Sequence, residues 1–195
     1  MRVITGSARG MKLMSTEGLE TRPTSDWTKE SIFNIIQFDI EGRRVLDLFS
    51  GTGQMGIECL SRGARECVFI DNRRDSVIVT TKNVEKTGFK AVSTIEQSDY
   101  MAYLKRAKAE SFGLIFLDPP YGNGMLQRAL NTIFTRDLLT DGGLIVCEGE
   151  KTDKMPEDSA PYYKGREYTY GKTRITLYRK RQDTEDEDGS ISGQL

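Results

Sequence analysis

The chain contains no histidine among its 195 residues. This absence excludes the Ser-His-Asp triad, Cys-His pairs, the H-E-x-x-H metal motif and an imidazole general base. Any chemistry must therefore use carboxylates, amides, backbone groups, aromatic rings or a cofactor.

Cysteines and long apolar runs are also scarce. The chain has an odd number of cysteines, Cys59, Cys67 and Cys147, and none of them form a C-x-x-C pair. This argues against a disulfide framework and against a zinc site. We expect them to be small buried hydrophobic residues, and we expect no metal site. No apolar run approaches the roughly 20 residues that span a bilayer, and the first residues lack the apolar core of an export signal. These features predict a cytoplasmic protein without a membrane partner.

The composition is that of a soluble globular protein, with 37% hydrophobic and 29% charged residues. The net charge of -1 hides an asymmetry along the chain. Residues 161–181 hold seven basic residues and one acid, whereas residues 181–195 hold five acids and one arginine. The sequence therefore predicts a mildly basic folded part and an acidic, disordered tail over residues 181–195.

Short apolar runs alternate with helix-period segments between residues 43 and 149. The runs are RRVLDLF, ECVFID, AVSTIEQ, FGLIFLD and GGLIVCEGE, and the intervening segments start near Gln54, Arg73, Tyr100 and Asn123. This alternation is typical of βαβ units. It predicts an α/β, doubly wound, mostly parallel sheet within one domain over residues 41–180.

Two smaller pieces flank the predicted sheet. Residues 1–40 are predicted to form an extension made of a short basic hairpin and a helix, whose apolar face docks on the sheet. That face consists of Trp27, Ile32, Phe33, Ile35 and Ile36. After the fifth strand, YYKGREYTYGKTRITLYRK alternates around a Tyr-Gly-Lys turn and predicts an antiparallel hairpin that closes the sheet edge.

The stretch GTGQMG, residues 51–56, follows the first predicted strand and matches the G-x-G-x-x-G pattern of dinucleotide-binding enzymes. Asp71 closes the second strand, where a carboxylate can accept hydrogen bonds from both ribose hydroxyls. Asp99, after the third strand, could accept one from an adenine amino group. Together these residues predict an adenosine site, which fits either NAD or S-adenosylmethionine.

Asp47 favours S-adenosylmethionine over NAD. It precedes the glycines, where a dinucleotide site usually has an apolar residue. A carboxylate there would repel a pyrophosphate but could hold a cationic amino-acid moiety, directly or through water.

The tetrapeptide Asp118-Pro119-Pro120-Tyr121 follows the fourth predicted strand directly. Ligands bind at the carboxyl ends of parallel strands, and two prolines impose a rigid extended turn there. An aspartate carboxylate and a proline carbonyl can accept both hydrogens of an exocyclic amine and stabilise positive charge on its nitrogen. Tyr121 can stack on an extruded base. The tetrapeptide therefore predicts methyl transfer to guanine N2 or adenine N6.

The combined motifs resemble a known family. VLDLFSGTGQMGIECLSRGA and DPPY are similar to class I methyltransferases that modify exocyclic or side-chain amide nitrogens. With RVITGSARGMKL and TRPTSDWTKESIFNI, the match over roughly residues 2–180 resembles the bacterial RsmD family, which methylates guanine N2 in 16S ribosomal RNA. The resemblance implies a Rossmann-like class I methyltransferase fold. Gln54, Met55 and Ser50 depart from the family's usual smaller or aliphatic residues, from which we expect altered packing with the cofactor site retained.

The resemblance also implies residue roles. S-adenosylmethionine is expected at Asp47, Phe49, Gly51, Gly53, Asp71, Asn72, Asp99 and Thr24, and catalysis at Asp118, Pro119, Pro120 and Tyr121. Arg22 and Pro23, next to Thr24, are expected in the cofactor pocket or facing the RNA. Candidate RNA contacts are Arg2, Arg9, Lys12, Arg22, Lys172 and Arg174, with Tyr162, Tyr163, Tyr168 and Tyr170 as stacking surfaces. The expected partner of this monomer is 16S ribosomal RNA, free or within a small subunit.

Three other functions share parts of this pattern. An adenine-N6 or protein glutamine methyltransferase uses the same acceptor-Pro-Pro-aromatic arrangement, although such enzymes more often begin it with asparagine. An NAD oxidoreductase would need only the glycine turn. A non-catalytic RNA-binding assembly factor could keep the cofactor fold, but the intact DPPY argues against it.

Overall fold

The computed structural model describes residues 1–15, 26–120 and 122–182. The strands are β1 Arg44–Asp47, β2 Glu66–Asp71, β3 Ser93–Gln97, β4 Phe112–Leu117, β5 Leu139–Glu150, β6 Tyr162–Tyr170 and β7 Thr173–Lys180. The helices are α1 Asp26–Ile35, α2 Gln54–Ser61, α3 Arg74–Thr87, α4 Tyr100–Arg106 and α5 Met125–Arg136, with a short 3-10 helix Lys90–Val92. The helices α2 to α5 begin within two residues of the positions that the sequence predicts.

The seven strands form one sheet in the order β3-β2-β1-β4-β5-β7-β6. Strands β1 to β5 are parallel, whereas β7 is antiparallel to both β5 and β6. This confirms the α/β doubly wound sheet with an antiparallel C-terminal hairpin. The strand order reverses between β1 and β4, and a doubly wound sheet opens a crevice for ligands at the carboxyl ends of the strands at such a point.

Each face of the sheet is covered by its own hydrophobic cluster. Val45, Phe69 and Phe116 point to the face covered by α1, α2 and the N-terminal hairpin. Leu46 and Ile115 point to the opposite face, which α4 and α5 cover. Because successive strand residues alternate between the faces, the almost unbroken apolar strands bury both sides. The three cysteines are free and buried, as predicted.

The N-terminal hairpin is tied to α1 and α2 through a buried carboxylate. An antiparallel bridge pairs Arg2 with Lys12. The Glu58 carboxylate accepts hydrogen bonds from the amides of Ile4 and Thr5 at 2.8 and 3.0 Å and lies 3.6 Å from the Lys29 Nζ. A buried charge needs such partners, so the hairpin and α1 are held against α2.

The docking face of α1 is narrower than the sequence predicts. Ile32, Phe33 and Ile36 are fully buried against the sheet, and Ile35 packs at the margin. The inclusion of Trp27 in that face was wrong, because its side chain is 63% exposed and stands edge-on to Tyr170, with ring centroids 5.1 Å apart. Trp27 lies on the first turn of α1, next to Tyr170 of β6 and ahead of the three buried residues.

The C-terminal hairpin completes the sheet beyond β5, since β7 lies between β5 and β6. The expectation that Tyr162 offers a stacking surface was wrong, because it is 1% exposed and its hydroxyl donates to Asp137 Oδ1 at 2.8 Å. Tyr163, Tyr168 and Tyr170 remain partly accessible. Residues 183–195, most of the predicted tail, lie outside the described residues, and the boundaries at residues 40 and 180 stay predictions.

Within the described ranges, no helix is both long and apolar enough to cross a membrane. The same ranges contain no group of three or more cysteine and acidic side chains placed to hold a metal ion.

Candidate functional site

A cavity of about 580 Å³ opens at the carboxyl ends of β1, β2, β4 and β5. This volume lies within the range of small-molecule sites. Its lining includes Met1, Asp47, Phe49, Gly51, Gln54, Asp71, Asn72, Tyr100, Asp118, Pro119, Pro120, Met125 and Glu148. The sequence-predicted glycine turn and DPP segment therefore meet in one cavity, at the reversal of strand order.

The backbone of the glycine loop after β1 is held in place by hydrogen bonds with neighbouring side chains. Gly51 has a φ of 54°, in the left-handed region that favours glycine, and its amide donates to Asp71 Oδ2 at 2.9 Å. Its carbonyl accepts from Thr80 Oγ1 at 3.0 Å. Asn83 Nδ2 donates to the carbonyls of Thr52 and Met14, at 2.9 and 3.0 Å. Contacts from α3 thus fix the loop backbone at the cavity floor.

The other two glycines of the motif serve packing. Gly53 is the residue before α2, has a φ of 77° and lies against Thr80, whose Cγ2 would be 2.9 Å from an added Cβ. A Cβ on Gly56 would lie 2.3 Å from Phe69 Cε1 and 2.6 Å from Cys67 Sγ. Gly56 therefore allows α2 to approach β2, as the third glycine of such a motif does. Gly53 is not among the described residues that line the cavity, so its contact with a cofactor stays a prediction.

Asp47 is a buried carboxylate at the end of β1. It accepts a hydrogen bond from the Gly56 amide at 3.1 Å, close to the start of α2. Burial raises the pKa of Asp47 to about 7; the Gly56 hydrogen bond opposes this shift, and the nearby charge of Asp71 adds to it. A cation in the cavity would favour the ionised carboxylate and offset the cost of its burial.

Asp71 is positioned by two backbone amides. Its Oδ2 accepts from Gly51 and its Oδ1 accepts from Arg73, both at 2.9 Å. Each carboxylate oxygen has a further lone pair, so both can still accept hydrogen bonds from a ligand's hydroxyls. Asn72, next in the chain, also lines the cavity.

Gln54 is a cavity residue whose role the motif did not predict. Its Oε1 is buried and accepts no hydrogen bond from any described residue. A buried carbonyl oxygen without a donor is costly, and a ligand with an N–H or O–H group would satisfy it. The only signal in the sequence was a polar residue where the family usually has a small or aliphatic one.

Phe49 and Tyr100 form a tilted aromatic pair on the cavity wall, with ring centroids 5.2 Å apart. Such apolar surfaces suit a flat ring system. Asp99 precedes Tyr100 and caps α4 by accepting from the Ala102 amide at 3.0 Å. Ser98 and Tyr100 line the cavity but Asp99 is not among its described lining residues, so a hydrogen bond from Asp99 to adenine stays a prediction.

The DPP segment, which follows β4, forms another part of the cavity wall. Asp118 is exposed to the cavity, Pro119 is buried and Pro120 is exposed. Four further predicted site residues lie outside the described residues: Arg22, Pro23, Thr24 and Tyr121.

Glu148 is a second acidic residue at this wall that the motifs did not single out. It lies near the carboxyl end of β5, is 9% exposed and lines the main cavity. It also lines a smaller cavity of about 40 Å³ beside the loop after Pro120. Its position in the apolar run GGLIVCEGE was the available signal, because an acid near the carboxyl end of a buried parallel strand lies where ligands bind.

Some of the predicted RNA-contacting side chains are exposed, whereas another already contacts groups within the protein. Arg2, Arg9, Lys12 and Lys172 are exposed. Arg174 is 16% exposed, donates to the Asp153 carbonyl and lies 3.8 Å from Glu167, so it also holds the loop after β5. Met1 and Met11 of the hairpin pack against the same hydrophobic cluster as Tyr168 and Tyr170. Both basic segments therefore border the face of the sheet that α1 covers.

Comparisons with known proteins agree with this geometry. A family model described as "Conserved hypothetical protein 95" matches residues 1–179. The chain is 38% identical to the Bacillus subtilis protein named "Putative rRNA methyltransferase YlbH", over 93% of this chain and 100% of that protein. It is 31% identical to the Escherichia coli protein named ribosomal RNA small subunit methyltransferase D, over 92% of this chain and 90% of that protein.

A solved structure shows the same fold. The Escherichia coli structure described as "Putative methyltransferase yhhF" is 31% identical and superimposes with a TM-score of 0.83, over 93% of this chain and 98% of that chain. The Rossmann-like methyltransferase fold expected from the sequence is thereby confirmed.

Proposed function

Because the chain belongs to the family described as "Conserved hypothetical protein 95", the RsmD family that its sequence resembles, we propose that it uses S-adenosylmethionine to methylate guanine N2 in small-subunit ribosomal RNA. The observation that carries this proposal is the meeting of two halves in one cavity. One half is the glycine loop with Asp47 and Asp71, and the other is the DPP segment.

The donor half fits S-adenosylmethionine through its charges and its unsatisfied oxygen. Asp71 would accept the ribose hydroxyls, and Phe49 with Tyr100 would flank the adenine. The Asp47 carboxylate and the Gln54 Oε1 would face the cationic amino-acid end. When bound there, S-adenosylmethionine supplies an electrophilic methyl group on a sulfonium centre.

The acceptor half holds the amine to be methylated. The Asp118 carboxylate and the Pro119 carbonyl would each accept one hydrogen of the N2 amino group, which turns its lone pair toward the donor. They also stabilise the positive charge that develops on nitrogen. Transfer of the methyl group would break its bond to sulfur, leaving a neutral thioether, and would leave nitrogen with one proton too many, which the hydrogen-bonded Asp118 carboxylate would be placed to accept. None of these steps needs a histidine.

The RNA would lie across the rim of this cavity. Arg2, Arg9, Lys12 and Lys172 are exposed cations that can contact phosphates. The exposed Trp27 and the partly accessible Tyr170 add an aromatic pair near the β6–β7 turn. A patch of this size favours recognition of a shaped ribosomal site over tight binding to any RNA. Action as a cytoplasmic monomer, on free RNA or an assembled subunit, belongs to the same proposal.

Nucleoside analysis in a deletion strain tests this function. Small-subunit RNA from the strain should lack one N2-methylguanosine and regain it when the gene is restored. Transfer of a tritiated methyl group to free RNA and to subunits from that strain, followed by mapping, identifies the nucleotide and the form of the substrate. An unchanged nucleoside profile after deletion would refute the proposal, and loss of N6-methyladenosine instead would reassign the base.

A further inference from the structure

Glu148 lies beside Asp118 on the same face of the sheet. Strands β4 and β5 are parallel and pair Leu117 with Cys147, so Asp118 and Glu148 follow at the next position of each strand. Phe116 and Val146, two residues earlier, are paired, belong to the core of the α1 face and line the cavity. Continuing this register by one residue, past the end of β4 at Leu117, places the backbones of Asp118 and Glu148 about one strand spacing of 4.8 Å apart and directs both side chains toward that same face.

Glu148 is also part of the wall between two cavities. Pro119, Pro120, Met125 and Glu148 line both the large cavity and the smaller one beside the loop after Pro120. A base whose amine was held by Asp118 and Pro119 would present an adjoining ring nitrogen to this wall, which Glu148 shares with Pro119. The glutamate carboxylate is therefore placed to contact the ring atom next to the amine.

Guanine differs from other amine-bearing bases at that ring atom. Its N1 carries a hydrogen and adjoins the C2 amine, whereas N1 of adenine and of 2-aminopurine is an acceptor. An ionised carboxylate only accepts hydrogen bonds, so it attracts the guanine edge and repels a ring nitrogen with a lone pair. Hydrogen-bonding sites discriminate strongly in this way, because the wrong partner leaves a buried polar group unsatisfied.

We propose that Glu148 selects guanine by accepting a hydrogen bond from N1–H of the target base, while Asp118 and Pro119 hold the N2 amino group. This inference rests on the proposed function and adds a specificity-determining residue to the same site. The hydrogen bond also places negative charge beside the ring as N2 becomes positive, which favours the transfer.

The test compares guanine with 2-aminopurine at the mapped target position of small-subunit RNA, introduced by ligation of a synthetic segment. Both bases carry the C2 amine, but only guanine has N1–H. The wild-type protein should methylate the guanine substrate at least about tenfold faster. In Glu148→Gln this ratio should fall by about tenfold, because the amide can turn either its oxygen or its nitrogen toward N1.

Glu150→Gln is the matched control. Glu150 lies two residues further along β5, and neither described cavity includes it in its lining. This variant removes the same charge close by and should keep the wild-type ratio. The dissociation constant for S-adenosylhomocysteine, measured by calorimetry, should stay within about twofold in both variants, which shows that the donor site is intact. Glu148→Ala provides the same comparison if the glutamine variant does not fold.

Two results would overturn the inference alone. One is a wild-type protein that methylates 2-aminopurine as fast as guanine, and the other is a Glu148 variant that slows both substrates equally, as a residue that only supports the Pro119 loop would. A wild-type product other than N2-methylguanosine would instead overturn the proposed function, because product identity is established before any variant is compared.

Discussion

The Gly51 amide donates a hydrogen bond of 2.9 Å to Asp71 Oδ2 and so joins the glycine loop after β1 to the end of β2. The same carboxylate accepts from the Arg73 amide through its other oxygen. Asp71 therefore shapes the loop and, under the proposed function, would also offer lone pairs to a ribose. One side chain supports two features of the donor site that are 20 residues apart in the chain.

Replacement of Asp71 by alanine should weaken donor binding. The loss of charged hydrogen-bond acceptors for the ribose and for the loop amides predicts a dissociation constant for S-adenosylhomocysteine roughly 10- to 100-fold higher. Isothermal titration calorimetry measures this. Asp75→Ala, an exposed acid in the first turn of α3, is the control and should bind as the wild type does. An unchanged constant in Asp71→Ala would remove the ribose assignment.

Gly56→Ala should destabilise the fold. The added Cβ would overlap the Phe69 ring and the Cys67 sulfur, both of which are buried in the strand beneath α2. Overpacking of this kind costs about 1–3 kcal/mol of unfolding free energy, seen as a lower denaturation midpoint. Gly165→Ala is the control, because its Cβ would make only ordinary contacts of 3.4 Å or more. Equal midpoints for the two variants would contradict the packing role of Gly56.

Donor binding should depend on pH through Asp47. Its pKa is raised to about 7, so the carboxylate is mostly protonated at pH 6 and mostly ionised at pH 7.5. If the ionised form holds the ammonium group, the dissociation constant should be about eightfold higher at pH 6 than at pH 7.5. Calorimetry at the two pH values measures the ratio. The Asp47→Asn variant should bind S-adenosylhomocysteine weakly, with similar dissociation constants at the two pH values. A wild-type dissociation constant that does not vary with pH would argue against a contact between Asp47 and the ammonium group.

The same carboxyl group predicts a pH-dependent cost in stability. The pKa of Asp47 is higher in the folded state than in the unfolded state, so protonation favours folding. This contribution to the free energy of unfolding is complete below about pH 4 and is lost as the pH rises through about 7. Asp47→Asn should therefore melt at a higher temperature than the wild type at pH 8, with the difference shrinking toward pH 4. Thermal denaturation at both pH values checks the sign, and a variant less stable at pH 8 would contradict it.

Asp118→Ala should separate donor binding from methyl transfer. Asp118 lines the cavity after β4 and takes no part in the Gly51–Asp71 hydrogen bond, so the dissociation constant for S-adenosylhomocysteine should stay within about twofold. Loss of one preorganised acceptor should lower the transfer rate by at least about 100-fold. Glu157→Ala, an exposed acid in the loop after β5, is the control. A variant that methylates RNA at the parental rate would exclude Asp118 from the mechanism.

Local chemistry made part of the site predictable from the sequence. The glycine turn, Asp71 and the DPP segment each follow a recognisable apolar strand, and the carboxyl ends of parallel strands meet at one edge. The wrong predictions concern Trp27, which helical periodicity placed on the docking face, and Tyr162, whose position among basic residues of the hairpin suggested a stacking surface. Whether such an aromatic residue is buried depends on which neighbour covers it, and a strand or helix pattern does not contain that information.

The sequence by itself determined the order of strands and helices, the glycine turn after β1 and the DPP segment after β4, because these depend on hydrophobic periodicity and on backbone restrictions at glycine and proline. Only the tertiary structure decided that Glu148 lies beside Asp118, that Gln54 Oε1 is left without a donor among the described residues, and that Gly56 sets the distance between α2 and β2. Those relationships arise from strand register and close packing, which join residues that are far apart in the chain.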